Sequence, residues 1–465
     1  MHFETFQWLL LAAVALIATA AALHALLYKR EPSAAFGWIA VCLLFPLIGP
    51  VLYYMLGVNR IRIRARALRA EQPPLTPGAN EPPVPLEFAP QALISEAVTG
   101  LALTGGNTVE VLRDGEEAYP VMLEAIKGAQ HTVFLSTYIF ESNRTGLRFA
   151  KALGAAVARG VDVRVLLDGA GEWYSVPRIR HRLREAGVRV GRFLPPRLLP
   201  PSLLLNLRNH RKILVVDGAE AFTGGMNIGD RHLAHATSGG IRDMHFRLTG
   251  PVVAQIEAVF FDDWRFATGD RRYPQHPVPA ESGGALCRTI IQGPSEDLSR
   301  LTMVLVGAIA AARRDVVIVT PYFLPSRELI SALQSAAIRG LRVDVVLPAI
   351  NNLPFMHWAT RNMLWELLKW GVHVHYRQGP FTHTKLFVVD GHYAQIGSAN
   401  MDPRSLRLNF ELVVEVYETE LATTLAEEAQ AMIADSREAD LTELDGRSMG
   451  AKIRDAVCWL FTPYL

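Results

Sequence analysis

The chain has 465 residues, half of them hydrophobic and a fifth charged, so it can bury a large core and is not disordered throughout. Its 47 basic and 45 acidic residues leave a net charge of +2, so no global basic field marks a nucleic-acid binder and any anion site must be local. Three scattered cysteines, Cys42, Cys287 and Cys458, are too few for a disulfide framework or a zinc site.

In chain order, residues 5–28 and 32–59 come first: two runs of 24 and 28 residues without Asp, Glu, Lys or Arg. Each exceeds the roughly 20 residues that cross a bilayer. Only Lys29, Arg30 and Glu31 separate them, which predicts a transmembrane two-helix hairpin over residues 1–60. A cleaved signal peptide is the other reading of the first run; Glu4 and the lack of Lys or Arg before it argue against that. Pro46, Gly49 and Pro50 lie inside the second run, where membrane helices tolerate them. The two basic residues of the loop face Arg60, Arg62, Arg64, Arg66 and Arg69 beyond the second run, a bias that puts the downstream body in the cytoplasm. The arginines also suit anionic lipid headgroups. Residues 61–92, basic and then rich in proline, read as a linker.

The body that follows repeats itself. A strand over 131–140, a helix over 146–159 and a strand over 161–167 form a βαβ pattern. About 180 residues on, a strand over 316–323, the helix Arg327–Ile338 and a strand over 341–347 do the same, each helix ending in Arg-Gly. This predicts two homologous α/β halves with pseudo-twofold symmetry, over 93–285 and 286–440, and leaves 441–465 as a C-terminal amphipathic segment.

Both halves carry the same polar signature. His210-Arg-Lys212 precedes the apolar run Ile213–Val216, then Asp217; His383-Thr-Lys385 precedes Leu386–Val389, then Asp390. Each is followed at equal spacing by a glycine turn and an asparagine: Gly224-Gly225-Met-Asn227 and Gly397-Ser398-Ala-Asn400. On a strand, i and i+2 share a face, so each histidine points with its lysine. The aspartate, five residues past the lysine, falls on the opposite face and reads as an anchor. Each asparagine leaves a tight turn and is aimed at a phosphate oxygen. Only seven lysines stand among 40 arginines, and two of the seven hold these equivalent places. A compact ammonium beside a histidine suits a phosphate.

These paired motifs resemble the phospholipase D superfamily. With the N-terminal stretch Phe45-Pro-Leu-Ile-Gly49-Pro-Val-Leu-Tyr53 and the run from Gly397 to Glu411, the chain is similar to bacterial cardiolipin synthases over nearly its whole length except the linker. The resemblance implies catalytic roles for His210, Lys212, Asp217, His383, Lys385 and Asp390, and phosphate binding by Asn227, Asn400 and Ser398. One histidine attacks the phosphorus and forms a phosphohistidine, and the other moves protons to and from the alcohols. It implies a carboxylate downstream of each motif to hold the far ring nitrogen. The candidates are Asp243 and Glu411, which follow the asparagines by 16 and 11 residues. Which histidine is the nucleophile stays open. Gly225 stands where the second motif has Ser398, which puts a hydroxyl contact there in doubt.

The implied reaction moves a phosphatidyl group from one phosphatidylglycerol to another and releases glycerol, with no cofactor and no metal, the two lysines supplying the charge. The implied partners are phosphatidylglycerol, other anionic phospholipids and the inner-membrane bilayer, with no nucleic acid; the oligomer is unknown. A hydrolytic phospholipase D, with water as acceptor, is the alternative. The near-neutral charge argues against a tethered nuclease, since polyanion binding needs a basic groove, and a lipid-binding scaffold needs neither histidine. Residues 198–207, with six leucines, read as a core-covering loop or as a lip that dips into lipid. His373-Val-His375 reads as a surface strand face. Ile453, Val457, Leu460, Phe461 and Leu465 share one helix face, which either packs on the body or lies on the membrane.

Overall fold

The computed structural model describes residues 2–29, 32–57, 84, 88–196, 207–233, 240–274, 276–293 and 300–462. The basic cluster Arg60–Arg69, most of the linker and residues 198–206 lie outside them, as do Arg30, Glu31 and residues 463–465. The chain falls into two compact units: one holds the described residues up to Gly57, the other those from Val84 to Pro195 and from Leu207 to Thr462.

In the N-terminal unit, helix α1 (His2–Tyr28) contains 25 residues, Glu4–Tyr28, that are long and apolar enough to cross a membrane. It is the one such helix among the described residues. The second apolar run is not one continuous helix. Helix α2 (Pro32–Leu44) has 13 residues and rises about 20 Å, short of a hydrocarbon core of about 30 Å. It stops there because a residue before proline avoids the α region, and Phe45 precedes Pro46. The chain turns, and helix α3 (Gly49–Leu52) restarts with Pro50 in its first turn, where the missing N–H costs nothing. Gly49 is required in that turn: a Cβ there would sit 2.3 Å from the Val41 carbonyl oxygen. Ala22, Ala25, Trp38, Cys42 and Tyr53 pack together, and the Tyr53 hydroxyl meets His24 Nδ1 at 2.8 Å.

In the larger unit, the strands in chain order are β1 (Thr104–Arg113), β2 (Thr132–Thr137), β3 (Asp162–Asp168), β4 (Arg189–Phe193), β5 (Ile213–Val216), β6 (Glu220–Gly224) and β7 (Met244–Thr249). Then follow β8 (Ala285–Gln292), β9 (Asp315–Val319), β10 (Arg342–Pro348), β11 (His373–Arg377), β12 (Leu386–Val389), β13 (Tyr393–Gly397), β14 (Glu411–Tyr417) and β15 (Ser436–Glu438). They form one sheet in the order β15-β11-β10-β9-β12-β13-β14-β8-β1-β7-β6-β5-β2-β3-β4. Strands β2, β3 and β4 are parallel, as are β9, β10 and β11, and each triplet meets an antiparallel motif strand, β5 or β12.

The helices that join the parallel strands are amphipathic. Arg144–Ala158 buries Phe149, Ala150, Leu153 and Ala156; Arg327–Ile338 buries Leu329, Ile330, Leu333 and Ala336. Two cores result, one around Val133, Leu135, Val163, Val165 and Leu214, the other around Val316, Ile318, Val343, Val345 and Phe387. The helix Ala89–Thr99 begins inside the stretch read as linker, with Pro90 in its first turn. The strand His373–Arg377 is not a surface face: His375 is buried, with Nε2 2.8 Å from Asp344, and His373 pairs with Glu438.

The anchoring aspartates leave their strands for a reason other than strand parity. Asp217 and Asp390 have φ of 52° and 53°, so each sits in the turn that ends its motif strand. From there the Asp217 carboxylate accepts the backbone N–H groups of Gln130, His131 and Thr132, at 2.8, 2.7 and 2.7 Å. Asp390 accepts those of Arg313, Arg314 and Asp315, at 2.8, 2.8 and 2.9 Å. Each carboxylate thus ties the end of one strand to the start of its neighbour. Hydrogen bonds to a charged group contribute about 1.5–3 kcal/mol each, so Asp217→Asn is expected to lower the midpoint of thermal unfolding by several degrees while folded protein keeps most of its turnover. Melting curves and turnover on the same preparation check this; an inactive variant that melts like wild type would contradict the anchor role.

Candidate active site

Two short backbone crossovers build the site. The His210 N–H donates to the Phe410 carbonyl at 2.9 Å, and the Phe410 N–H to the Arg208 carbonyl at 2.9 Å. Likewise the Arg242 N–H donates to the Phe381 carbonyl at 3.0 Å, and the His383 N–H to the Arg242 carbonyl at 2.7 Å. Each motif histidine is therefore laced to the segment that carries the other motif's downstream acid. The side chains follow: His210 Nδ1 lies 3.0 Å from Glu411 Oε2, and His383 Nδ1 lies 2.8 Å from Asp243 Oδ2. The partnership is crossed, which sequence order does not reveal, because each acid follows the asparagine of its own repeat.

The two acids are held differently. Glu411 also accepts the hydroxyls of Ser398 at 2.5 Å and Ser405 at 2.9 Å. Burial pushes its carboxyl up, but His210 and Lys212 together with these hydrogen bonds outweigh it and hold the group below the usual carboxylate range. Ser398 thus spends its hydroxyl on Glu411 and on the backbone of Leu412. Asp243 accepts the Met244 N–H at 2.9 Å and is raised by burial in spite of Lys385 and His232 nearby. A Cβ at Gly225 would lie 2.3 Å from Asp243 Oδ1. The first motif therefore has glycine where the second has serine because the orienting carboxylate fills that space.

The Lys212 ammonium donates to the His210 carbonyl at 2.7 Å, and Lys385 bonds to the His383 carbonyl and approaches His383 Nδ1 at 3.0 Å. Burial drives Lys212 down to about 7 and Lys385 down to about 8. Burial also lowers both histidines, His383 further than His210, because Lys385, Lys212 and His210 add to burial at His383 whereas Glu411 opposes it at His210. Asn227 Oδ1 accepts the Ile139 N–H at 3.0 Å, which leaves its amide NH2 for the cavity.

A cavity of about 320 Å³ opens over these groups and is lined by both histidines and both asparagines. Tyr138 and Tyr322, offset by one place in the repeat, pack their rings 5.4 Å from His210 and 6.4 Å from His383. Sequence reading missed His232, Arg231, Asp402 and Arg404, which also line the cavity. His232 is buried and pushed down to about 3, chiefly by burial. Its Nε2 accepts the Asn227 N–H at 3.3 Å, so the neutral ring carries its proton on Nδ1, 3.9 Å from Asp243. Burial raises Asp402 to about 6. The signal for these residues was their place just beyond each asparagine, in a loop whose direction only the fold supplies. Because the Asp243 carboxylate occupies the space beside Gly225, Gly225→Ser is expected to push it off His383 and cut kcat at least tenfold with folding intact; Ser398→Ala is expected to weaken the hold on Glu411 and act through His210. Steady-state kinetics with circular dichroism checks both.

The family model described as "Cardiolipin synthase, PLD-like domain" matches residues 122–264 and again 305–433. The model "Phospholipase_D-nuclease N-terminal" matches residues 16–57. A cardiolipin synthase of Geobacillus thermodenitrificans (strain NG80-2) is 31% identical over 94% of this chain and 90% of its own length. The major cardiolipin synthase of Bacillus subtilis (strain 168) is 31% identical over 94% of this chain and 95% of its own. Among solved structures, the phosphatidylserine synthase of Haemophilus influenzae Rd KW20 aligns with a TM-score of 0.62 over 81% of this chain and all of that one, at 16% identity, a likeness of fold. With a family model matched twice across most of the body and relatives that align nearly end to end, the chain belongs to the cardiolipin synthase family of the phospholipase D superfamily.

Proposed function

We propose that the protein is a phosphatidyltransferase that makes cardiolipin from two phosphatidylglycerol molecules and releases glycerol. The observation that carries this reading is the pair of crossed His–carboxylate contacts at one cavity, each histidine backed by a lysine of depressed pKa. One phosphodiester replaces another, so no energy source is needed. The two halves, 93–285 and 286–440, are homologous repeats: the strand order β4-β3-β2-β5-β6-β7-β1 has the counterpart β11-β10-β9-β12-β13-β14-β8, and the family model matches twice. The N-terminal unit is a membrane hairpin, α1 spanning and α2 with α3 forming a broken second limb. The arginines between residues 60 and 69 keep the body on the cytoplasmic side of a bacterial inner membrane.

His210 is the nucleophile. Its Nδ1–H is given to a carboxylate held anionic by four neighbours, which leaves Nε2 electron-rich and stabilises the charge of a phosphorylated ring. Nε2 attacks phosphorus, the bond to the departing glycerol oxygen breaks, and His383 donates its proton to that oxygen. Burial and the neighbouring cations hold His383 neutral in the free enzyme, so it takes up the proton it donates as the anionic phosphate binds beside it. The second lipid's glycerol hydroxyl then gives its proton to His383 and displaces the phosphatidyl group from His210. Lys212, Lys385, Asn227 and Asn400 stabilise the negative charge on the non-bridging oxygens. A water molecule in the acceptor's place would give phosphatidic acid, the hydrolytic alternative.

His210→Ala and His383→Ala are each expected to lower transfer at least a thousandfold with folding intact. In His383→Asn, slow breakdown of the intermediate is expected to leave a phosphatidyl group on His210, seen by mass spectrometry after digestion under alkaline conditions. Label on residue 383 in the converse variant instead would reverse the assignment. Lipid analysis after expression in a host that lacks cardiolipin tests the product.

The pH dependence follows from the lysines. The ammonium is the proton-bound form and exists below its pKa, so with values of about 7 and about 8 in the free enzyme the phosphate site loses charge as pH rises through that range. kcat/KM is expected to fall above pH 7–8. In kcat the limb moves to higher pH, because bound phosphate favours the ammonium. A kcat/KM profile flat from pH 7 to 9 would count against the lysine role.

A further inference from the structure

The C-terminal helix Met449–Leu460 is inside out. Its one acidic residue, Asp455, is fully buried and faces Arg361 of the helix Pro354–Leu368 at 3.6 Å, with Arg447 and Arg454 closing the cluster. Arg454 also lies 4.4 Å over the Trp358 ring of that helix. Cys458 packs against the larger core. The apolar residues point the other way: Ile453 is 58% exposed, Val457 47%, Leu460 67% and Phe461 57%. The helix is thus docked through ion pairs, and its apolar stripe is left to face outward. A stripe of this kind marks an interaction surface.

We infer that this stripe lies in the interfacial layer of an anionic bilayer and holds the active-site mouth against it. Three observations select lipid as the occupant. Lys452 flanks the stripe, where anionic headgroups sit beside an interfacial helix. The helix that receives Asp455 lines the cavity with Phe355 and Met356 and meets Asp455 through Arg361, about 9 Å further along its axis, so the docked helix and the cavity rim share one support. The same chain carries a 25-residue helix apolar enough to cross a membrane, which in the proposed function places the protein at a bilayer. The inference rests on the reading of the cavity as a lipid-transfer site. It adds that a mouth held at the bilayer favours a lipid hydroxyl over water as acceptor, because lipid headgroups are then at high local concentration.

The test uses the full chain in phosphatidylglycerol vesicles. Leu460→Trp is compared with wild type and with Ile338→Trp, at an exposed site on another helix, using phosphatidylglycerol brominated on the acyl chains near the headgroup. Extra quenching of tryptophan in Leu460→Trp alone is expected. No extra quenching, or quenching equal to Ile338→Trp, overturns the inference, as does concentration-dependent cross-linking through residue 460, which would assign the stripe to a second copy. In parallel, Val457→Glu with Leu460→Glu is expected to raise the ratio of phosphatidic acid to cardiolipin severalfold at similar total turnover. An unchanged ratio also counts against the inference. Quenching reads lipid contact without turnover, so a wild-type protein that is quenched as expected yet makes no cardiolipin would fault the functional reading and leave the membrane contact standing.

Discussion

Two ammonium groups and two imidazoles are buried around one cavity, and everything in the body is arranged to make that tolerable. A buried cation without a partner is costly. Here the compensating charges come from Glu411 and Asp243, each delivered by the opposite repeat. Neither repeat could hold its own histidine–lysine pair alone: half of the electrostatic balance of each motif lies on the other side of the cavity. The same requirement explains the continuous sheet, in which β8 and β1 join the repeats edge to edge and fix the spacing across which the acids reach.

The two sides of the sheet correspond in strand order and differ in charge at the motifs. Glu411 is long, fixed by Ser398 and Ser405, and stays anionic; Asp243 is short, crowds Gly225, and is raised by burial. These differences separate the surroundings of the two motif histidines. The separation follows from local packing, not from fold, since the strand order on the two sides corresponds strand for strand. Tilting two equivalent residues toward different chemistry by shifting their surroundings is a general route to acid–base pairs.

The periphery follows the same logic of where charge can go. Asp455 is buried because Arg361, Arg447 and Arg454 surround it, and that arrangement turns the apolar stripe of the last helix outward. In the N-terminal unit, by contrast, alanines let α1 and α2 approach, and a proline and a glycine break the second apolar run.

Much of this was legible in the residues themselves. The paired His-x-Lys motifs, the apolar four-residue strands Ile213–Val216 and Leu386–Val389, and the helix Arg327–Ile338 were read with their observed bounds, because short-range periodicity dictates them. The first apolar run carried its helix because nothing interrupts it; the second did not, because the effect of Pro46 depends on whether the chain can turn back, which Gly49 against Val41 allows. Strand parity led to an anchor role for Asp217 by the wrong route: the residue leaves the strand with positive φ, a property of the turn. The identities of both orienting acids were legible, but their exchange between repeats was not, since pairing over 201 and 140 residues is decided by which backbone segments cross at the cavity. Ser398 was read as a phosphate ligand, and the fold gives its hydroxyl to Glu411. Local order is written in spacing along the chain; partnership among charges is written in three dimensions, where the crossing backbone segments decide which acid each buried base meets.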